Sequence, residues 1–291
     1  MIECQNENPT IHQKNTVHQK NGVTVLMSSH KGEKAEHLAE SLESLYAQTI
    51  TPDRIVLVLD GEVGKDQHDV ILKYGADGRG PDLTILALPT NGGLANALNA
   101  GLAYCDGEYI MRMDSDDVCL PDRLALQLAY LGNHPDIDLI SSWSSEFSGN
   151  DIPERLKVSP TEHDALTMAM RWRNVIAHSA ILVRASALAK IGGYRSDFGL
   201  LEDYDLYVRL ITAGAHFHVI PKVLLRVRTS LAQRGRRGNF AYLRNEIRFR
   251  AECLKVGFLT RSQFIATICL YTVFRLSGSL LRDRFYSLAR T

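Results

Sequence analysis

Five short apolar runs mark the first half of the chain, and each is separated from the next by a longer segment. They are "VTVLMSS" (23–29), "RIVLVLDG" (54–61), "LTILAL" (83–88), "GEYIMRM" (107–113) and "IDLISSW" (137–143). Between the first two, Leu38, Leu42, Leu45 and Tyr46 recur at helical spacing, and "NGGLANALNAGLAYC" (91–105) sets small and apolar residues on one helical face. "PDRLALQLAYLGNHP" opens with a proline suited to a helix's first turn. Near-continuous apolar strands alternating with helices predict an α/β fold with an open, mostly parallel sheet covered by helices on both faces.

Ligands in such sheets bind beyond the carboxyl ends of the strands. Asp60 ends the second run, Asn91 follows the third, and Asp114, Asp116 and Asp117 follow the fourth. Three polar segments thus converge on one edge. An Asp-x-Asp pair there can hold Mg²⁺ or Mn²⁺, hard cations that take oxygen ligands and leave positions open for phosphate. The plainer alternative is a helix cap, with Ser115 or Asp117 preceding the helix near Pro121. Three carboxylates in four residues exceed what a cap needs. Asp60-Gly61 can equally be ordinary turn chemistry. A second acidic group, "LLEDYDLYVRL" (200–210), places Glu202, Asp203 and Asp205 at the start of a helix. A first turn favours carboxylates in any case, and one aimed into a cleft could instead act as a general base.

At 291 residues the chain holds one large domain, or one domain and an appendage. Its 45% hydrophobic and 23% charged residues are those of a globular protein. No basic segment leads into an apolar one at the N-terminus, so no secretory signal is expected. Five cysteines, none at CxxC spacing, argue against a zinc site or disulfide framework and for a reducing cytoplasm. The net charge of zero hides a division. Residues 222–291 carry fifteen Lys and Arg against three acids, a net +12, which leaves −12 on residues 1–221. Such asymmetry calls for an acidic partner at the tail.

The ordered series "VTVLMSSHKG", "SLESLYAQTITPDRIVLVLDG", "LPTNGGLANALNAGL", "YIMRMDSDDVCLPDRLALQ", "HSAILVRASALAKIGGY" and "EDYDLYVRL" resembles bacterial family-two glycosyltransferases. These have the GT-A fold, a Rossmann-like sheet flanked by helices, and build exopolysaccharide, capsule and O-antigen; the amylovoran-biosynthesis type is the best match. The resemblance runs from about residue 22 to about 240 and implies a metal-dependent, inverting hexosyltransferase using a nucleotide sugar, with uridine the expected nucleoside. In that family's pattern Asp60 reads the base, and Ser28 and Ser29 line the nucleotide pocket in the loop after strand one. Asn91, Gly92 and Gly93 form the turn beside the nucleotide. Arg112 and Asp114 flank ribose and sugar, Ser115 lies in the same turn, and Asp116 binds the metal on the diphosphate with Asp114 and Asp117 in support. Asp203 is the catalytic base, with Glu202 beside it. His178 is an acceptor- or phosphate-side contact or else a partly buried histidine bonded to backbone. Trp172 shapes an acceptor pocket or anchors an apolar cluster.

The implied acceptor is a saccharide linked to a lipid diphosphate. Arg234, Arg236 and Arg237, in an arginine-rich stretch, match a segment that closes over the donor diphosphate; the alternative is a solvated basic face. "SQFIATICLYTVFRLSGSLL" (262–281) is broken by Arg275 and by Ser277-Gly278-Ser279, too soon for a span of about 20 apolar residues. It fits an interfacial helix on an anionic leaflet at the inner face of the cell membrane, or a helix packed on the core or on a second subunit of a homodimer. The expected organisation is a polar segment (1–21), a GT-A domain (22–221) and a basic region (222–291) with this amphipathic helix. No nucleic-acid motif accompanies the arginines. Two other classes remain. A sugar-phosphate nucleotidyltransferase would need a better Gly-rich loop than "SSHKGEKAEH", and a non-catalytic membrane-docking protein leaves the acidic clusters unexplained.

Overall fold

The computed structural model describes residues 22–78, 80–148, 154–229 and 240–276. The polar segment 1–21, Arg234, Arg236, Arg237 and residues 277–291 lie outside these residues. Four strands, β1 (Val23–Ser29), β2 (Arg54–Leu59), β3 (Asp82–Ala87) and β4 (Tyr109–Asp114), form the parallel half of the sheet. The rest comprises β5 (Val118–Cys119), β6 (Leu139–Phe147), β7 (Arg155–Lys157), β8 (Leu182–Arg184) and β9 (Phe217–Arg228). The order is β3-β2-β1-β4-β8-β6-β9-β5, with β7 paired to β6.

The second half of the sheet is mixed. β8 is antiparallel to both β4 and β6, whereas β6 and β9 are parallel. β8 is only three residues long, and so short an apolar run carries no signal of direction. β9 continues the sheet past residue 221 into the basic segment. Ser28 and Ser29 are the last two residues of β1 rather than part of the following loop. Ser28 pairs in register with Asp114, and Ser29 with Leu59.

Alternate side chains of the parallel strands serve two cores, as a two-residue repeat requires. Val25, Met27, Ile55, Leu57, Met111 and Met113 pack against α1 (Ala35–Tyr46), α2 (Lys65–Asp77) and α4 (Arg123–Asn133). Leu26, Val56, Val58 and Ile110 face the cluster that includes α3 (Leu94–Leu102), α6 (Ala185–Ile191) and α7 (Glu202–Thr212). A fully buried leucine on either side contributes about 2 kcal/mol. Helix α3 sits so close to the sheet that a Cβ at Gly101 would lie 2.5 Å from Leu26 and 2.7 Å from Val58.

Beyond α5 (His163–Met170), the chain ends in a helical pair, α8 (Phe240–Lys255) and α9 (Arg261–Leu276). Phe249 of α8 joins the second core and meets the rings of Phe198 and Tyr204. Arg250, 1% exposed, donates to the carbonyls of Arg171 and Trp172 and stacks over Tyr271 of α9. The tail pair is therefore fastened to the segment after α5. No helix among the described residues is long and apolar enough to cross a membrane.

Candidate active site

The parallel register brings the ends of β1, β2, β3 and β4 to one edge of the sheet. Asp60, the residue after β2, is 4% exposed. Its Oδ1 accepts from the Gly92 N–H at 2.7 Å and its Oδ2 from the Gly93 N–H at 2.9 Å. Asn91 Nδ2 donates back to the Asp60 carbonyl at 3.1 Å. The carboxylate thus ties the turn before α3 to the end of β2. Gly61 makes this approach possible: its φ is +83°, and a Cβ there would lie 2.8 Å from the Asn91 nitrogen. Ser29 Oγ accepts from Gln67 Nε2 at 3.2 Å, which ties α2 to the same edge.

The "DSDD" stretch turns directly off β4. The Asp117 N–H donates to the Asp114 carbonyl at 3.3 Å, and Ser115 is buried within the turn. Carboxylate oxygens of Asp114, Asp116 and Asp117 lie within 4.8 Å of one another. Burial, Asp114 and Glu33 push the Asp116 carboxyl up to about 7. Burial and then its two acidic neighbours push Asp117 well above the usual carboxylate range. Arg112 offsets part of this charge, donating from Nη2 to Asp114 Oδ1 at 2.5 Å. It is 1% exposed and so meets this edge through Asp114. A clustered all-oxygen donor set whose own charges oppose its ionisation fits a hard divalent cation. Asp114 and Asp116, both half-buried, could hold it. The helix-cap alternative does not apply, because β5 intervenes and α4 begins at Arg123 with no side-chain cap.

The second acidic group opens α7, which begins at Glu202. Asp203 Oδ2 accepts from Asn174 Nδ2 at 2.8 Å and Oδ1 from the Tyr204 N–H at 2.7 Å. Two donors from different segments fix the plane of this carboxylate. Glu202 is 8% exposed, and burial followed by Asp203 pushes its carboxyl up to about 7. Asp205 has a different role: buried at the other side of the helix, it pairs with Arg195 and Arg209. Arg112 acts electrostatically on Glu202 and on Asp116, and Asp114 acts on Glu202, so the two acidic groups lie within electrostatic reach of one another.

His178 Nε2 lies 2.9 Å from the Tyr194 hydroxyl, a side-chain partner rather than a backbone one. Burial and then Arg112 push its pKa well below the ordinary histidine value, so the ring is neutral. Trp172 is 44% exposed and outside both cores; its carbonyl accepts from Arg250 and Tyr271. Sequence reasoning passed over Ser179 and Arg228, which both bond to Asp117, and Asn174, which holds Asp203. Ser179 stands next to His178 in a motif already singled out. Arg228 and Asn174 lie 111 and 29 residues from their partners, and no local pattern marks such contacts.

The sequence pattern of Glycosyl transferase family 2 matches residues 24–192, and that of Glycosyl transferase family group 2 matches residues 109–290. The amylovoran biosynthesis glycosyltransferase AmsE of Erwinia amylovora is 33% identical over 239 residues, covering 81% of this chain and 88% of that one. The UDP-Gal:alpha-D-GlcNAc-diphosphoundecaprenol beta-1,3-galactosyltransferase of Escherichia coli is 27% identical over 263 residues, covering 90% and 94%. Among solved structures, S. aureus TarS 1-349 in complex with UDP-GlcNAc superposes with a TM-score of 0.64 at 17% identity, over 88% of this chain and 73% of that one. The mannosyltransferase PcManGT from Pyrobaculum calidifontis, in complex with GDP-Man and Mn²⁺, gives 0.62 at 15% identity, over 93% and 80%. Both structures share the GT-A arrangement of a mixed sheet flanked by helices.

Proposed function

The chain belongs to glycosyl transferase family 2, and from that premise we propose a metal-dependent, inverting hexosyltransferase of surface-polysaccharide synthesis. The donor is a uridine diphosphate hexose or N-acetylhexosamine, and the acceptor is a glycan carried on a lipid diphosphate. The observation that carries this reading is the nearness of two acidic groups, the Asp114–Asp117 turn at the end of β4 and the Glu202-Asp203 pair at the start of α7, with Asp114 and Arg112 both acting on Glu202. The acceptor class is drawn from the diphosphoundecaprenol named for the Escherichia coli relative, and the uridine donor from that relative and from the TarS complex.

Asp114 and Asp116 would hold Mn²⁺ or Mg²⁺, which supplies positive charge against the diphosphate leaving group. Asp60 fixes the Asn91–Gly93 turn that borders the nucleotide. Asp203 takes the proton of the attacking acceptor hydroxyl at a carboxylate oxygen, oriented by Asn174 and the Tyr204 N–H. Glu202, its carboxyl raised to about 7 by burial and by Asp203, is about half protonated at neutral pH, which reduces the negative charge beside the base. No protein acid is needed for the leaving group. The tail then serves placement. Ile265, Leu270 and Val273 of α9 are more than half exposed, and no exposed residue described on α8 or α9 is acidic. That composition would suit an anionic membrane surface carrying the lipid-linked acceptor, and it supports a peripheral position on the cytoplasmic face as part of this reading.

The test is product formation from a panel of nucleotide sugars with a synthetic lipid-diphosphate acceptor, with Asp116→Ala as control. Transfer of one uridine-linked sugar by the wild-type chain, lost in the variant while vesicle binding persists, is the expected result. Consumption of nucleoside triphosphate with release of pyrophosphate would instead identify a nucleotidyltransferase.

A further inference from the structure

We propose that Asp117 is a positioning residue rather than a metal ligand, and that with Ser179 and Arg228 it clamps the turn that presents Asp116. The proposal rests on the metal-dependent reading above. Asp117 is 1% exposed, and both of its carboxylate oxygens are engaged from within the fold. Oδ2 accepts a short bond from Ser179 Oγ, and Oδ1 accepts from the Arg228 N–H at 2.8 Å.

These donors come from two separate elements. Ser179 lies in a 3-10 turn (His178–Ala180) that precedes β8. Arg228 is the last residue of β9. The Arg228 side chain then grips the same turn again: Nε donates to the Asp116 carbonyl at 2.9 Å, Nη2 pairs with Glu40, and the guanidinium stacks 4.5 Å from the Phe147 ring. On the opposite side, Ser41 Oγ donates to the Asp114 carbonyl at 3.0 Å. The turn is therefore held by α1, by β9 and by the segment before β8. A carboxylate so enclosed has little access to a cation that must keep positions open for phosphate. Its bonds do what outer partners of metal ligands do: they fix where the ligand points.

Ligand and clamp respond differently to amide substitution. In Asp117→Asn the carbonyl oxygen still accepts from the Arg228 N–H, and the amide can donate to Ser179 Oγ. Both bonds survive and the charge is lost. Asp117→Ala loses both bonds, and Ser179→Ala loses one without altering the turn.

The experiment is titration of Mn²⁺ into each full-length variant in the presence of uridine diphosphate, with thermal unfolding of the metal-free proteins alongside. A clamp predicts Mn²⁺ affinity within about threefold of wild type for Asp117→Asn, and a loss of about 10–100-fold for Asp117→Ala, with Ser179→Ala between them. Asp116→Asn, the ligand control, should abolish measurable binding. Unfolding should follow the same order, with Asp117→Ala melting below Asp117→Asn. If Asp117→Asn loses Mn²⁺ as completely as Asp116→Asn, Asp117 is a ligand and the proposal fails. It also fails if Asp117→Ala and Asp117→Asn melt together. A wild-type chain that binds no Mn²⁺ would overturn the metal-dependent reading, and the unfolding order would still decide the clamp.

Discussion

Removing the Asp60 carboxylate separates a structural role from a ligand-reading one. In Asp60→Ala the N–H groups of Gly92 and Gly93 lose acceptors at 2.7 and 2.9 Å. A hydrogen bond to a charged group contributes about 1.5–3 kcal/mol, so two set an upper range of about 3–6 kcal/mol. Gly92 is exposed and Gly93 half-buried, and water recovers part of that loss. The expected cost is therefore about 2–3 kcal/mol, which for a domain of this size lowers Tm by about 5 °C. Gly61→Ala should act through the same junction, because its Cβ would press on the Asn91 nitrogen at a φ of +83°. Thermal unfolding by circular dichroism, paired with calorimetric titration of uridine diphosphate, gives both readouts. Loss of nucleotide affinity together with the lowered Tm is expected, since in the proposed reading the turn borders the nucleotide. An Asp60→Ala protein that melts within about 1 °C of wild type would refute the reasoning, and lost affinity at unchanged Tm would mean that the carboxylate meets the base directly.

Asp203→Asn should lower kcat by about 10²–10⁴-fold while donor binding stays within about threefold of wild type, measured by product formation and by calorimetry; an equal loss in both would make Asp203 structural. Metal binding should depend on pH, because the Asp116 carboxyl, pushed up to about 7, holds a proton that the cation must displace. Mn²⁺ affinity should fall about tenfold from pH 8 to pH 6, whereas a flat profile in titrations at the two pH values would contradict this. The same raised proton affinity means that the metal-free protein loses stability as pH climbs from the ordinary carboxylate range toward 7, so added Mn²⁺ should raise Tm more at pH 8 than at pH 5.5. Ile265→Asp with Leu270→Asp should cut co-sedimentation with phosphatidylglycerol vesicles to the level seen on phosphatidylcholine. Unchanged sedimentation would remove α9 from the membrane account.

The parallel half of the sheet was legible because its strands are long, apolar and separated by helices: β1 to β4 fall within two residues of the runs that announced them. The mixed half was less so, since β8 and β5 are three and two residues long and carry no periodicity. At the site, the clustering of Asp114, Asp116 and Asp117 could be read directly, because the residues are consecutive or nearly so. Their division of labour could not. That Asp117 is buried against Ser179 and Arg228 while Asp116 is only half-buried depends on contacts between residues 62 and 111 positions apart. Asp60 shows the same limit. Its position at a strand end was visible, but its bonds to Gly92 and Gly93 come from the alignment of β2 with β3. His178 was visible as a motif, whereas its neutral state follows from burial beside Arg112.

The central claim is that the Asp114–Asp116 turn holds a divalent cation for a nucleotide sugar. The most direct measurement is binding and turnover across a panel of nucleotide sugars with Mn²⁺, with Mg²⁺ and with chelator. Binding and turnover of one uridine diphosphate sugar, present with metal and abolished by chelator, is what the account predicts. Turnover that is indifferent to chelator would contradict the role given to Asp114 and Asp116, and a chain that binds no nucleotide sugar with either metal would contradict the account as a whole.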